Sequence, residues 1–191
     1  MTTPTTLDPR QARIRLHELT VIDVRTPGEY AGGHIPGALN IPLDQLDRAL
    51  PDISTAARHG EILVVCASGA RSEKACRMLA ENGTHTATLA GGTGAWAAQG
   101  HDLHHPDGVR KASWGMERQV RLVAGSIVLL GLALGEVVHP AFQLLSAGIA
   151  GGLVFSAMTN TCGMAAVLAK LPHNRPRKAE LDATLARLRS N

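Results

Sequence analysis

Along the first hundred residues, apolar and polar positions switch period several times, and after about residue 120 the alternation gives way to long uncharged stretches. Short apolar runs at 21–24, 61–65 and 87–89, each bounded by turn-forming residues, predict buried strands. Helical spacing separates them. Residues 43–50 predict a short helix closed by Pro51, and residues 72–82 a helix with Ala75, Met78 and Leu79 on one face and Gly83 as its stop. A further helix carries Trp96, and residues 32–40 form a connection rich in glycine and proline. Strands alternating with helices imply an open α/β sheet of parallel strands joined by helical crossovers. In such sheets, ligands sit beyond the carboxyl ends of the strands.

The second half follows a different pattern. Residues 122–135 carry no charge, Glu136 and His139 mark the far end of that run, and residues 140–169 are again free of charge. The second stretch exceeds the roughly 20 residues that a helix needs to cross about 30 Å of hydrocarbon. With Pro140 making a tight turn, the pattern predicts a two-helix transmembrane hairpin. The competing reading, two buried helices of a soluble protein, is weakened because the preceding domain already looks complete. Arg110, Lys111, Arg118 and Arg121 precede the first span, Lys170, Arg175, Arg177 and Lys178 follow the second, and the turn has no Lys or Arg. The positive-inside rule then puts both termini in the cytoplasm. The expected domains are a catalytic domain at 1–108, a basic linker at 109–118, the hairpin at 119–172 and a basic cytoplasmic tail at 173–191. Gly131 with Gly135, and Gly148 with Gly152, are small-residue pairs that let helices approach, within the hairpin or between chains, and a homodimer is expected. Leu181, Leu185 and Leu188 recur at helical spacing amid Arg187 and Arg189, so the tail is expected to lie on the inner leaflet or to fray.

Composition narrows the partners. A net charge of +3 and 3% aromatic residues offer neither the field nor the stacking platforms of a nucleic-acid binder. Residues 1–11 are polar and hold two prolines, unlike a signal peptide, so this end is expected to stay in the compartment of synthesis. Cys66, Cys76 and Cys162 have neither disulfide-framework nor metal-site spacing, which suits a reducing compartment. His101, His104 and His105 lack partners at metal-site spacing and read as a solvated linker ending in Pro106-Asp107-Gly108. No cofactor or metal is expected.

The chemistry centres on Cys66, which follows the apolar run Ile62-Leu63-Val64-Val65 and precedes a helix. A cysteine at a helix N-terminus faces unpaired N–H groups and the positive end of the dipole, which favour thiolate, the nucleophilic form. The alternative is a buried strand-end cysteine beside an ordinary turn. The amides of residues 68–72 can curl into an anion-binding concavity, with Gly69 free to adopt positive φ and Arg71 adding a fixed charge. Ala67, Ser68, Gly69, Ala70 and Ser72 are thus the candidate substrate-binding residues, and Cys66 and Arg71 the candidate catalytic ones. Four residues separate Cys66 from Arg71, one fewer than in cysteine-dependent phosphatases, so phosphatase or arsenate-reductase chemistry is disfavoured.

Flanking text adds to the loop. Asp23-Val24-Arg25-Thr26-Pro27-Gly28-Glu29-Tyr30, continuing through Gly33-His34-Ile35-Pro36-Gly37-Ala38-Leu39-Asn40-Ile41-Pro42, resembles the first signature of the rhodanese family of sulfurtransferases. Gly91-Gly92-Thr93-Gly94-Ala95-Trp96 with Gly100 resembles its second. The resemblance covers residues 8–104, and the second half looks like the inner-membrane type, one rhodanese domain followed by two membrane helices. It implies a bacterial inner-membrane enzyme in which the Cys66 thiolate takes the outer sulfur of a donor such as thiosulfate and passes it from a persulfide to cyanide or a thiol. A sulfur carrier or sensor without turnover is the alternative. Asp23 is expected to orient loop amides and Arg25 to pair with Glu29, both as structural support, while Trp96 belongs to the core. Cys76 reads as a small buried residue rather than a resolving thiol. Cys162, in the polar interruption Thr159-Asn160-Thr161-Cys162-Gly163, is either a secondary thiol that accepts sulfur or a helix-end packing residue.

Overall fold

The computed structural model describes residues 4–105, 116–159, 167–168 and 178–190. The chain divides into two compact units, one built from Met1–Ser113 with Arg175–Asn191 and the other from Trp114–Asn174.

In the first unit five parallel strands lie in the order β1-β5-β4-β2-β3: β1 Thr5–Leu7, β2 Leu19–Asp23, β3 Leu39–Asn40, β4 Glu61–Val65 and β5 Ala87–Leu89. β4 is central, with Asp23 of β2 opposite Val65 and Thr88 of β5 opposite Val64. Its Ile62 and Val64 enter one buried cluster, with Cys66 just beyond the strand, while Leu63 and Val65 enter the other. Burial on both faces explains why this run is apolar throughout rather than alternating.

Helices cover both faces: α1 Pro9–Ile14, α2 Pro27–Ala31, α3 Leu46–Ala56, α4 Ala70–Glu81 and α5 Gly92–Ala98. Asp8 and Thr26 start α1 and α2 with capping boxes completed by Gln11 and Glu29. α3 does not stop at Pro51 as expected, because Leu46, Ala49, Ile53 and Ala56 form one buried stripe across it. An interior proline costs about 3 kcal/mol. Beyond Pro51, burying Ile53 recovers about 1.5–3 kcal/mol and Ala56 adds to it, so continuing the helix offsets that cost.

The described part of the histidine segment is docked rather than a free linker, although His104 and His105 are exposed as expected and residues 106–108 lie outside the described residues. The backbones of His34 and His104 exchange hydrogen bonds, Trp96 Nε1 donates to the Asp102 carbonyl, and the His101 ring stands 4.8 Å from that of Trp96. Trp96 is itself 1% exposed, in the core. The tail also differs from expectation. Residues Lys178–Ser190 form a helix, α8, that packs on α3 and β3. Its Leu181, Leu185 and Leu188 are buried in the same cluster as Ile22, Ile41 and Ile53. The leucine stripe is covered by the first unit, and Arg48–Asp182 and Arg189–Asp52 ion pairs flank it.

In the second unit α6, Met116–Val137, is followed by a single 3₁₀ turn at Pro140–Phe142 and by α7, Gln143–Thr159. Gly131 and Gly135 let the two helices approach: a β-carbon at either would stand 2.5 Å from Ser146 Oγ or Gln143 Cγ, and Ser146 donates to the Val128 carbonyl. Among the described residues, nothing lies within 4 Å of a β-carbon built on Gly148 or Gly152. Among the described residues one stretch, Gln119–Val137, is long and apolar enough to cross a membrane, and Pro140–Ser156 is apolar but shorter. Leu129, Leu130, Val137, Leu144, Val154 and Phe155 are all more than half exposed.

Candidate active site

Cys66 is the first residue after β4, and Gly69, at φ +103°, turns the chain into α4. At this N-cap glycine supplies no side-chain oxygen. The sulfur takes the capping role instead: the amides of Gly69 and Ser72 donate to Cys66 Sγ at 3.1 and 3.4 Å. Orphan donors of a 12-residue helix thus converge on the nucleophile, an arrangement that stabilises negative charge there.

The carbonyl side of the loop is held just as firmly. Thr93 and Gly94, in the first turn of α5, donate to the carbonyls of Cys66 and Ala67 at 2.8 and 3.0 Å. Gly91 and Gly92 have φ of +64° and +59°, and a β-carbon on Gly92 would collide with the Cys66 carbonyl and Ala67. The glycine-rich second motif is therefore the backing of the loop, fixing its carbonyls on one side so that its amides face the sulfur on the other.

Among the candidate substrate-binding residues, Ser68 is exposed at the mouth, and Ala67 and Ala70 are half-buried there. Ser72 is fully buried; its hydroxyl donates to the Gly69 carbonyl at 2.8 Å and lies 2.7 Å from Thr88 Oγ1. It braces the loop from beneath; its amide donates to Sγ, and its hydroxyl oxygen lies 3.6 Å from the same sulfur.

The charged residues pair differently from expectation. Arg25 does not bind Glu29. Its Nε and a terminal nitrogen go to the carboxylate of Asp23 at 2.7–3.0 Å, and the latter also donates to the Gly33 carbonyl. Asp23 is fully buried, so its charge requires a partner; Arg25 takes up both oxygens, and the expected contact with loop amides does not form. Glu29 binds Arg71 instead, in a two-pronged pair at 2.8 Å each. The Glu29 side chain is 7% exposed and also accepts from the amide and hydroxyl of Thr26. Burial pushes this carboxyl up, but Arg71 and Thr26 outweigh it and hold it at about 2. Burial opposes the charge on Arg71, yet Glu29 first, then Cys66 and Asp23, raise the guanidinium above its ordinary value. Arg71 is thus near the sulfur but shared with a carboxylate.

Cys76 is buried, with Sγ 3.6 Å from the Ala87 carbonyl, and burial pushes its thiol up. Cys162 lies outside the described residues. Sequence reasoning missed Glu29 as the partner of Arg71, together with Thr88 and the carbonyl-binding amides of Thr93 and Gly94. Thr26 to Glu29 is a legible capping box, but nothing local says that the same carboxylate reaches 42 residues along the chain.

Residues 6–99 match the rhodanese-like domain, and residues 115–177 match the transmembrane domain of YgaP-like inner membrane proteins. The chain is 36% identical over 156 residues to an uncharacterized protein of Synechocystis, covering 81% of this chain and 84% of the relative. It is 35% identical over 92 residues to a sulfurtransferase of Allochromatium vinosum, covering 48% and 83%. The crystal structure of a rhodanese-related protein from Thermoplasma volcanium aligns with a TM-score of 0.50 at 26% identity, over 53% of this chain and 99% of that one. This chain belongs to the rhodanese-like family, with a YgaP-like transmembrane domain following the catalytic fold.

Proposed function

We propose that this protein is a membrane-anchored sulfurtransferase working through a Cys66 persulfide. The observation that carries the reading is the convergence of the Gly69 and Ser72 amides on Cys66 Sγ at the end of the central strand. In the first half-reaction the Cys66 thiolate attacks the outer sulfur of thiosulfate or a related donor. A sulfur–sulfur bond forms to Cys66, the donor's own sulfur–sulfur bond breaks, and its electron pair leaves with sulfite. In the second, cyanide or a thiolate attacks the terminal sulfur and the Cys66 thiolate departs. The loop amides hold negative charge on sulfur in both steps, electrostatic stabilisation by donors that need no rearrangement.

The membrane reading is a two-span hairpin with both ends in the cytoplasm. It is supported by the flanking Lys and Arg residues, by the exposed apolar side chains of α6 and α7, and by α8. Because α8 packs into the same unit as the catalytic sheet, the chain must leave that unit and come back to it, which fits an even number of crossings. Gly148 and Gly152, unopposed among the described residues, support association of two copies.

Purified full-length protein in detergent is expected to form thiocyanate from thiosulfate and cyanide, and Cys66→Ser to abolish it. One added sulfur on Cys66 without turnover would favour the carrier reading instead, and no sulfur on Cys66 from any sulfane donor would overturn both.

A further inference from the structure

We propose that Glu29 and Glu73 set the donor specificity of the Cys66 loop, making it a site for sulfane donors of single negative charge with an organic substituent, the thiosulfonate type, rather than for the dianion thiosulfate. The inference rests on the sulfur-transfer reading above and names the substrate class of that same site.

The charge balance at the mouth carries it. The cation next to the loop, Arg71, gives both terminal nitrogens to Glu29 at 2.8 Å, so at the distance of a bound donor the pair is close to neutral. Glu29 is fixed in that role by Thr26 and stays ionised at any working pH. A second carboxylate stands close to the loop: Glu73, in the first turn of α4, has Oε1 4.0 Å from where a β-carbon on Gly69 would be. Asp23 and Arg25 cancel each other in a buried pair. Among the described residues, a donor at Cys66 Sγ therefore meets the amides of the loop, an arginine paired with a carboxylate and a further carboxylate that makes no ion pair. A single negative charge is matched by the amides, and a second is repelled. The mouth is otherwise lined by the half-buried methyl groups of Ala67 and Ala70, which accept a carbon substituent in place of the extra oxygen anion.

The step balances as before. The Cys66 thiolate bonds to the outer sulfur of R–SO₂–S⁻, the bond between the two donor sulfurs breaks, and the electron pair leaves as the sulfinate R–SO₂⁻. Two negative charges enter and two remain, one on the persulfide and one on the leaving group.

Methanethiosulfonate and thiosulfate form a matched pair of probes, identical at the outer sulfur and differing by a methyl group for one oxygen anion. With full-length protein and cyanide as acceptor, kcat/KM is expected to favour methanethiosulfonate by about tenfold. Glu29→Gln and Glu73→Gln should each narrow that ratio several-fold by lowering KM for thiosulfate about twice as far, on a logarithmic scale, as KM for methanethiosulfonate, a split that a merely loosened fold would not produce. Raising ionic strength should lower the thiosulfate KM, since salt screens a repulsion. Equal kcat/KM for the two donors, a thiosulfate KM that rises with salt, or ratios unmoved in both variants would overturn the proposal while leaving sulfur transfer intact. Failure of either donor to load sulfur onto Cys66 would overturn the sulfur-transfer reading and this one with it.

Discussion

Gly92 shows how much of the site depends on a missing side chain. It is far from Cys66 in sequence, yet its α-carbon lies against the Cys66 carbonyl, and the backbone there has φ of +59°. Gly92→Ala must both strain that backbone and push the loop off the α5 amides, so the donors to Sγ move with it. Reactivity of Cys66 toward iodoacetamide at fixed pH is expected to fall at least tenfold. Gly83→Ala is the contrast: φ is again positive, +74°, but nothing lies within 4 Å, so stability drops by about 1 kcal/mol and Cys66 keeps its reactivity. Glu29 makes a second residue-scale prediction. Its folded pKa of about 2 lies below the ordinary 4.5, so its contribution is full above 4.5 and fades as pH falls toward 2. That contribution is on the order of 3 kcal/mol. The stability deficit of Glu29→Gln, measured by denaturant unfolding of the full chain in detergent, should accordingly shrink across that window. Cys66, its turn glycine and Arg71 were legible because they are adjacent in the sequence. The carboxylate that claims Arg71 was not, since a contact across 42 residues exists only once β2 and β4 pair and α2 and α4 start at the same edge.

At the scale of elements, α8 is the clearest departure from local reading. Its leucines recur at helical spacing beside arginines, a pattern equally suited to a membrane surface and to a protein groove. The groove wins because α3 and β3 present an apolar strip, and Leu181, Leu185 and Leu188 are 2%, 4% and 1% exposed against it. The flanking ion pairs are largely in solvent and contribute little by comparison. Leu185→Ala is expected to destabilise the first unit by about 2–5 kcal/mol, seen as a lower Tm in the near-ultraviolet circular dichroism of the full chain. Replacing Arg48 by Ala should hardly change it. Pro51 teaches the same lesson in reverse, a strong local stop overridden because the buried stripe continues on its far side.

At the scale of the molecule, the catalytic fold is closed by a helix encoded after the membrane segment. The segment 114–174 therefore begins and ends at one unit, and its ends are expected on the same side of the bilayer. Single cysteines introduced at Thr3 and Asn191 in a Cys66→Ser, Cys76→Ala, Cys162→Ser background should react with a membrane-impermeant maleimide only after the membrane is permeabilised. Labelling of one end alone in sealed cells would mean an odd number of crossings.

Hydrophobic period and turn chemistry by themselves determined the α/β order, the place of Cys66 at a strand end, the loop spacing and the apolar second half, because each is written in residues close together along the chain. Tertiary structure decided what those residues face: Glu29 for Arg71, α5 for the loop carbonyls, and the first unit for the leucines of α8. The reason is physical. A short stretch sets a backbone's conformation and the face it must bury, but which charge neutralises which, and what covers an apolar stripe, depends on surfaces that meet only when distant segments pack.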